Sequence, residues 1–462
     1  MKRHAQRLFA IAWLTVQAAR RMRFVLAAVV LLFLCVTLLP FVIKHNGTAR
    51  MFTQVLLTYS LYLCFGLLSL ATLWLACGLH ATDVEPGQLQ LLAVKPAARW
   101  HIWAGRWLGI MVLNTVLLAV AGGAAFGLLR WQARGLAPEE RRLLETEVLV
   151  ARGAAREASP LRDEDVEKVL AEKQRRASGE TLDAEVMRRE ICADLRARHE
   201  VTPPNYRRIW DIDFAKERAA LAGQPLQLRV RFHAAQRGSD ALINTVWVAG
   251  RPESGRFWRA EKQLAADTFH EFAIPPDLIG ADGRLHVECE NRDRVTLIFP
   301  IDDGLEVLFR EGGFAANYTR ALLVLLCWLA LLTALGLMAA SFLSLIIAAL
   351  FAVTLLAVGL SGDTFAEVAS NNTLMGVDHD TGRAVASSLN VVAVPFYRVL
   401  AAITQPLAAV SPVESLSEGR SITWAQVAGA FARIVLLGGG GLAAVGLMLF
   451  HRRELAQHQA AA

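Results

Sequence analysis

Few residues in this chain are spaced for chemistry, and the densest set is a short charged stretch between two apolar runs. It reads Asp83-Val84-Glu85-Pro86-Gly87-Gln88-Leu89-Gln90-Leu91-Leu92-Ala93-Val94-Lys95-Pro96-Ala97-Ala98-Arg99-Trp100, and closes with Gly105-Arg106-Trp107-Leu108-Gly109. The carboxylates of Asp83 and Glu85 and the cations Lys95, Arg99 and Arg106 are suited to charge pairing. Leu89, Leu91 and Leu92 are suited to apolar burial. That mixture belongs to a docking element, where a few buried anchors and charges carry association. Pro86 and Pro96 punctuate the stretch, because proline cannot continue a helix from within.

The other reactive residue types form weaker sets. Asp378-His379-Asp380, with Asp363 and Glu367, has the oxygen and nitrogen donors of a metal site, but an outward polar loop explains the same residues. No metal site is expected. His233, His270 and His286 fall in strand-like sequence without a helix-spaced Glu or a nucleophile, so no catalytic constellation is expected and the chain is not read as an enzyme. The phosphate-cradling pattern Gly-x-x-x-x-Gly-Lys-Ser/Thr is absent. Gly438-Gly439-Gly440-Gly441 has no following Lys and is read as a close helix-packing surface. No cofactor is expected. Of the six cysteines, Cys35, Cys64, Cys77 and Cys327 lie in apolar runs as small hydrophobes. Cys192 and Cys289 lie in a polar insert, where a disulfide is open only outside the cytoplasm.

The elements that position the charged stretch are membrane spans. The 462 residues are 54% hydrophobic and 19% charged, with mean hydropathy +0.37, the profile of an integral membrane protein with a soluble insert. The net charge of +6 is assigned to basic membrane-flanking segments. No basic stripe interleaved with aromatics suggests nucleic acid. Crossing a bilayer takes roughly 20 apolar residues. Phe24–Ile43, Met51–His80 and Trp107–Leu129 meet that length. Ala321–Gly362 would reach about 60 Å as one helix and is therefore two spans turning near Ser341 and Ser344. Val427–Phe450 is the last. Arg433, the one charge inside it, either snorkels to the interface or faces a transport pathway. Val391–Val410 is broken by Pro395, Arg398 and Pro406 and is read as an interfacial or re-entrant helix.

Lys and Arg near the span ends set orientation. Lys2, Arg3, Arg7, Arg20, Arg21 and Arg23 precede the first span, and Arg452 and Arg453 follow the last. Six spans put both termini on the cytoplasmic side, together with Lys95, Arg99 and Arg106. No cleavable signal is read at the N-terminus; the first span is read as a retained anchor. Leu8, Ile11, Ala12 and Thr15 share one helical face, so the N-terminus is expected to be a basic amphipathic helix in the lipid interface.

The insert has two halves. Pro138 to Arg198 is rich in balanced charge and reads as solvated helices, with a hairpin break at Ala177-Ser178-Gly179 and an end at Thr202-Pro203-Pro204-Asn205. From Leu226 the period changes to two: Leu226, Leu228, Val230 and Phe232 alternate with polar residues. Further short runs, at Thr245–Val248, Glu271–Ile274, Leu285–Cys289, Val295–Phe299 and Leu305–Phe309, suggest a small antiparallel β-sandwich.

The expected fold class is thus an α-helical polytopic membrane protein of six transmembrane helices with an extracytoplasmic α+β insert containing a β-sandwich. Its organisation is an interfacial helix over 1–23, spans one to three over 24–129 with a cytoplasmic loop over 81–106, and a helical region over 130–222. A β-sandwich-like region over 223–319 follows, then spans four and five over 320–362. An outer loop with an interfacial helix over 363–426, span six over 427–450 and a cytoplasmic tail over 451–462 complete it.

The charged stretch resembles the cytoplasmic loop of permease subunits in the type-two, exporter-like class of ABC transporters. The matching positions are Asp83, Glu85, Gly87, Leu89-Gln90-Leu91-Leu92, Lys95-Pro96, Arg99-Trp100 and Gly105-Arg106-Trp107-Leu108-Gly109; Ala97-Ala98 stands where Val-Ser often precedes the Arg. Arg452-Arg453-Glu454-Leu455 and Glu418-Gly419-Arg420-Ser421-Ile422-Thr423-Trp424 are similar to the same family. The resemblance implies a second permease subunit, as homodimer or heterodimer, in the inner (plasma) membrane. It also implies a separate pair of ABC ATPase subunits seated on a coupling helix within 81–106, with the substrate unspecified. A reading from another class is a membrane-anchored extracytoplasmic sensor, or a carbohydrate- or protein-binding protein, whose working part is the β-rich insert.

Overall fold

The computed structural model describes residues 2–42, 49–84, 98–158, 163–176, 184–214, 221, 224–235, 242–251, 255–280, 282–301, 303–371, 373–374, 389–405 and 411–452. The chain divides into a helical unit, Met1–Leu149 with Gly313–Ala462, and a β-rich unit, Val150–Gly312.

The helical unit begins with α1 (Lys2–Arg21), α2 (Arg23–Val42), α3 (Ala49–Val84), α4 (Arg99–Ala133) and α5 (Pro138–Leu143). The chain then enters the β-rich unit, which contributes α6 (Asp163–Arg176) and α7 (Ala184–Glu200). It returns with α8 (Phe314–Ala340), α9 (Leu345–Leu360), α10 (Gly362–Asn371), α11 (Asn390–Thr404) and α12 (Pro412–Ser417). The last helix runs as α13 (Trp424–Ala430), a π-helical stretch Phe431–Gly439, and α14 (Gly440–Arg452).

Among the described residues, four helical runs are long and apolar enough to cross a membrane: Leu56–Leu79, Arg99–Ala133, Phe314–Ala340 and Trp424–His451. Arg23–Cys35, Leu345–Gly359 and Ala393–Ala402 are shorter apolar helices. Of the six expected spans, the first and the fifth therefore fall short of that length among the described residues. The turn expected near Ser341 and Ser344 is present: α8 ends at Ala340, Ser344 precedes α9, and the Ser341 hydroxyl donates back to Leu337 O at 2.8 Å. The 16 residues of α9 rise only about 24 Å. The broken apolar run over 391–410 does contain a helix, α11, which carries Pro395 inside it and packs Tyr397 against Phe365 of α10 at 5.4 Å.

Helix α8 is the axis of the helical unit. Within its most apolar window 78% of the residues are buried, against 22% in the last helix, so α8 is wrapped by protein and the last helix is peripheral. The main core joins Leu57, Leu61 and Leu68 of α3, Leu118 and Leu129 of α4, and Leu325, Leu329 and Leu332 of α8. Polar groups inside it are mostly paired: Tyr318 Oη donates to Gly122 O at 2.8 Å, and Asn317 Nδ2 donates to Arg420 O at 2.7 Å while its Oδ1 accepts from Ile422 N at 2.7 Å. Thr423 starts the last helix with a reciprocal capping box to Gln426, which satisfies two orphan backbone donors.

Among the described residues the β-rich unit holds three sheets. One orders β1 (Val150–Ala155), β11 (Leu305–Gly313), β4 (Leu226–Val230) and β8 (His270–Ile274); a second orders β3 (Arg207–Asp213), β9 (Arg284–Asn291), β6 (Ile243–Arg251) and β7 (Arg256–Leu264). The third is short: β2 (Val201–Thr202), β10 (Leu297–Ile298) and β5 (His233–Ala234). Pairing is antiparallel for β4 with β8 and β11, β9 with β3 and β6, β6 with β7, and β10 with β2 and β5. Both four-stranded sheets face one core, in which Trp210, Trp247, Leu228, Val287, Phe299 and Val307 are buried together. Val166, Met187 and Ile191 join α6 to α7 as a helix pair, with the break at 177–179 outside the described residues.

Two sequence expectations are corrected here. The stretch expected to be helical over 130–222 contains β1 and β3, and the β-rich unit begins at Val150 rather than near 223. Strand β7 was not expected. It is the edge of its sheet and only Leu264 of its nine residues is buried, so the charges that blunt an edge hide its alternation. Strand β1 is also an edge; its Gly153 lies where a Cβ would come within 2.5 Å of the Phe309 ring.

Candidate coupling site

The charged stretch is only partly within the described residues. Glu85, Gly87, Leu89, Leu91, Leu92, Lys95 and Pro96 lie outside them, and Asp83 is placed only as the last turn of α3. Arg99, Trp100 and Arg106 open α4 and are resolved in detail.

Arg99 is tied to the other end of the chain. Its Nη1 donates to Phe450 O at 2.6 Å and to His451 O at 2.8 Å, and its guanidinium stands over the Phe450 ring at 5.6 Å. Those carbonyls belong to the last turn of α14, whose orphan acceptors and negative dipole end favour a cation there. Phe450 packs with Ile102 of α4 and Ile11 of α1. Trp100 is 42% exposed and stacks on His101 with ring centroids 3.8 Å apart. His101 is buried, and its Nε2 is 2.8 Å from His4 Nδ1 of α1, so one imidazole donates to the other.

Arg106 does not lie on a surface. It is 4% exposed, within the helix packing of α4, so it is not presented for a partner's charge. The glycines that flank it have a packing role. A Cβ on Gly105 would come within 2.7 Å of Ile11 Cβ, and one on Gly109 within 2.6 Å of Ala12 O. Four residues apart on one face, they let α1 lie backbone to backbone along α4, as small residues do where helices approach closely. Ala12, Thr15 and Ala19 fill that contact from α1, while Phe9, Trp13 and Leu14 remain exposed on its other face. The amphipathic character read from the sequence is present, but Ala12 and Thr15, on the face read as interfacial, pack against α4.

On the far side of α4, Trp107 Nε1 donates to Ala330 O of α8 at 3.1 Å. A Cβ on Gly446 of α14 would lie 3.1 Å from Met338 Cα and 3.3 Å from Trp103 Nε1. The start of α4 is therefore fixed by α1, α8 and α14 at once.

Other sequence candidates are dispersed. Arg433 is exposed within the π-helical part of the last helix and joins none of these contacts. Of the Gly438–Gly441 run, Gly439 is buried, whereas Gly440 and Gly441 are exposed and nothing among the described residues lies within 4 Å of a Cβ built at either. Asp378, His379 and Asp380 lie outside the described residues, and among the described ones no three His, Cys, Asp or Glu side chains gather to hold a metal. Cys192 and Cys289 are free thiols. His4, His101 and Phe450 were not foreseen; only the His following Trp100 in the charged stretch hinted at them.

The β-rich unit carries its own polar set. Arg152 Nη1 donates to Gln227 Oε1 at 2.6 Å and to Glu271 Oε2 at 2.9 Å, and Arg156 pairs with the fully buried Glu306 at 3.2 Å. Asp211 of β3 pairs with His286 across the strand register, and His233 with Asp267. Burial raises the Glu157 carboxyl above the usual carboxylate range and lowers the Arg208 guanidinium beside it. Each of these contacts joins a cation or an imidazole to an acceptor, as ion pairs and charge-assisted hydrogen bonds.

No protein-family model matches the chain, and no match was found among curated proteins or among solved structures.

Proposed function

We propose that the chain is the transmembrane permease subunit of an ATP-driven ABC transporter of the type-two, exporter-like class, coupling a separate ATPase to substrate movement or to mechanical signalling across the membrane. The observation that carries this reading is the clamped exit of the charged stretch. Residues 81–106 run from one long apolar helix into another, and at Arg99 and His101 the stretch is tied to both the first and the last helix. A force applied to Glu85–Arg99 would thus reach α1, α4 and α14 together, as a bistable membrane element biased from one side requires.

Within this reading all six apolar segments cross an inner membrane, with both termini cytoplasmic and α1 lying in the interface. Two copies, or this chain and a relative, enclose the pathway. Glu85, Leu89, Leu91 and Leu92 contact the ATPase; Arg99 holds the exit of the stretch to α14 instead of pairing with the partner. The β-rich unit is extracytoplasmic, its two four-stranded sheets forming a β-sandwich over the shared tryptophan core.

The test is to look for an ABC ATPase encoded beside this chain and to co-purify the full chain with it; a neighbourhood without one counts against the reading. Association is expected for wild type and is expected to be lost in Leu91→Asp and weakened in Glu85→Arg. Unchanged association in both variants would overturn the docking assignment and favour the membrane-anchored binding protein. A reporter fused at Gly255 is expected to read as extracytoplasmic.

A further inference from the structure

Helices α1 and α2 meet at a one-residue corner. Helix α1 ends at Arg21, α2 begins at Arg23, and Met22 lies between them. Ala19 and Val25 are buried and Met22 is half-buried, and all three pack with Leu75 and Ala76 of α3. With those three turned inward, Arg20, Arg21 and Arg23 are left exposed. Among the described residues none of their guanidinium groups makes a hydrogen bond or an ion pair. The helices packed on α1 are poor in counter-charge. Neither α2 nor α4 carries an Asp or Glu, and the first carboxylate in the chain is Asp83, in the last turn of α3. Arg23 also opposes the dipole of the helix it opens, so helix stability does not explain its place.

Exposed apolar side chains adjoin these cations on both helices. On α1, Phe9, Trp13 and Arg20 are spaced by four and then seven residues, so they share one exposed stripe. On α2, Leu26, Val30, Leu34 and Leu38 recur at every fourth position and all are exposed. From Leu26 to Leu38 that track rises about 18 Å. One leaflet, half of a hydrocarbon core of about 30 Å, has nearly the same depth.

We infer that the α1–α2 corner binds a phospholipid of net negative charge, with Arg20, Arg21 and Arg23 around its headgroup and an acyl chain along Leu26, Val30, Leu34 and Leu38. Cations at the head of an apolar track match an amphiphile. An acidic peptide or a nucleic acid would leave the track uncovered. A zwitterionic headgroup brings its own cation and leaves the arginines uncompensated, so the charge of the lipid is what the corner selects. The site rests on the bilayer placement of the helical unit proposed above and not on its ATPase. Lipid binding is measured on the chain alone, so its failure and the failure of the ATPase association are separate results.

The full chain, stripped of lipid in a neutral detergent, is titrated with phosphatidylglycerol or with phosphatidylcholine, and the first bound lipid is counted by native mass spectrometry. The wild type is expected to bind phosphatidylglycerol at least about fivefold more tightly, the worth of a single basic residue at a membrane surface. Raising the ammonium acetate concentration should weaken the preference. Arg20→Gln, Arg21→Gln and Arg23→Gln together should abolish it, and Arg20→Lys, Arg21→Lys and Arg23→Lys together should keep most of it. Arg130→Gln, at the other end of α4, should leave it unchanged. Ammonium phosphate at matched ionic strength should compete no better than acetate; stronger competition would mark a free-phosphate site and overturn the lipid assignment. Equal binding of the two lipids by the wild type overturns it whether or not the variants fold. So does a preference that survives the triple glutamine variant, or one lost equally in Arg130→Gln.

Discussion

The β-rich unit and the helical unit place their large apolar side chains in opposite ways. In the β-rich unit Trp210, Trp247, Phe232 and Phe299 are buried at the centre, and Arg207, Glu288, Glu290 and Arg292 pair on the outside. In the helical unit the last helix turns Phe431, Leu436, Leu437, Val445 and Met448 outward, and α2 does the same with Leu26, Val30 and Leu34. The polar groups that remain inside the helical unit are mainly those that bind helix to helix, such as Asn317 and Tyr318. On the membrane reading proposed above, the contrast is one of solvent. Water rewards burial of apolar area at roughly 25 cal/mol per Å², whereas lipid gives no such reward between helices and leaves close packing and hydrogen bonds to hold them.

The comparison can be broken most directly in the two interiors. Trp247→Ala, at the centre of the β-rich core, is expected to cost about 3–5 kcal/mol. Leu437→Ala, on the outward face of the last helix, should change stability by less than about 0.5 kcal/mol. Denaturation of the full chain, followed by proteolysis within 150–312 and within 424–452 separately, checks both; equal effects would erase the contrast.

A step smaller, Gly109→Leu must displace the Ala12 carbonyl from 2.6 Å. Overpacking of this kind costs about 1–3 kcal/mol. The loss should appear as faster hydrogen exchange in α1, with the β-rich unit unchanged. Its counterpart is Glu306→Gln, which removes the charge from a side chain with 0% exposure paired to Arg156. It is expected to cost about 1–3 kcal/mol, confined to the β-rich unit. Arg99→Ala, which frees the Phe450 and His451 carbonyls, should cost about 1 kcal/mol, read as fraying of the last turn of α14.

The smallest effect is a pH dependence. Burial raises the Glu157 carboxyl in the folded β-rich unit, so the folded state keeps that proton to higher pH than the unfolded chain. Its contribution is therefore most favourable below the unfolded value and declines as pH rises through the folded one. Glu157→Gln should flatten the stability profile of the β-rich unit across that window. A profile unchanged by the substitution would remove Glu157 from the account.

Much of the helical unit was legible because bilayer thickness is a hard ruler. An uncharged run of about 40 residues cannot be one span, and the turn at Ser341–Ser344 is where that argument put it. The strands over 226–309 were legible where one face is buried, as in Leu226, Leu228 and Val230. Strands β1 and β7 were not, because edge strands with charged or small residues show no alternation. At the candidate coupling site, the charged stretch and its glycines stood out in the sequence. The sequence could not show that Arg99 reaches Phe450, 351 residues away, or that Arg106 is buried.

What the sequence alone determined is therefore what local composition can encode: which segments are apolar enough for helices of span length, where turns fall, which strands alternate, and where charge is concentrated. The pairing of α1 with α4 across Gly105 and Gly109 and the capping of α14 by Arg99 were decided only by tertiary structure. Each joins residues far apart in the chain. Which distant backbone can approach depends on how whole helices pack, and no window of sequence contains that information.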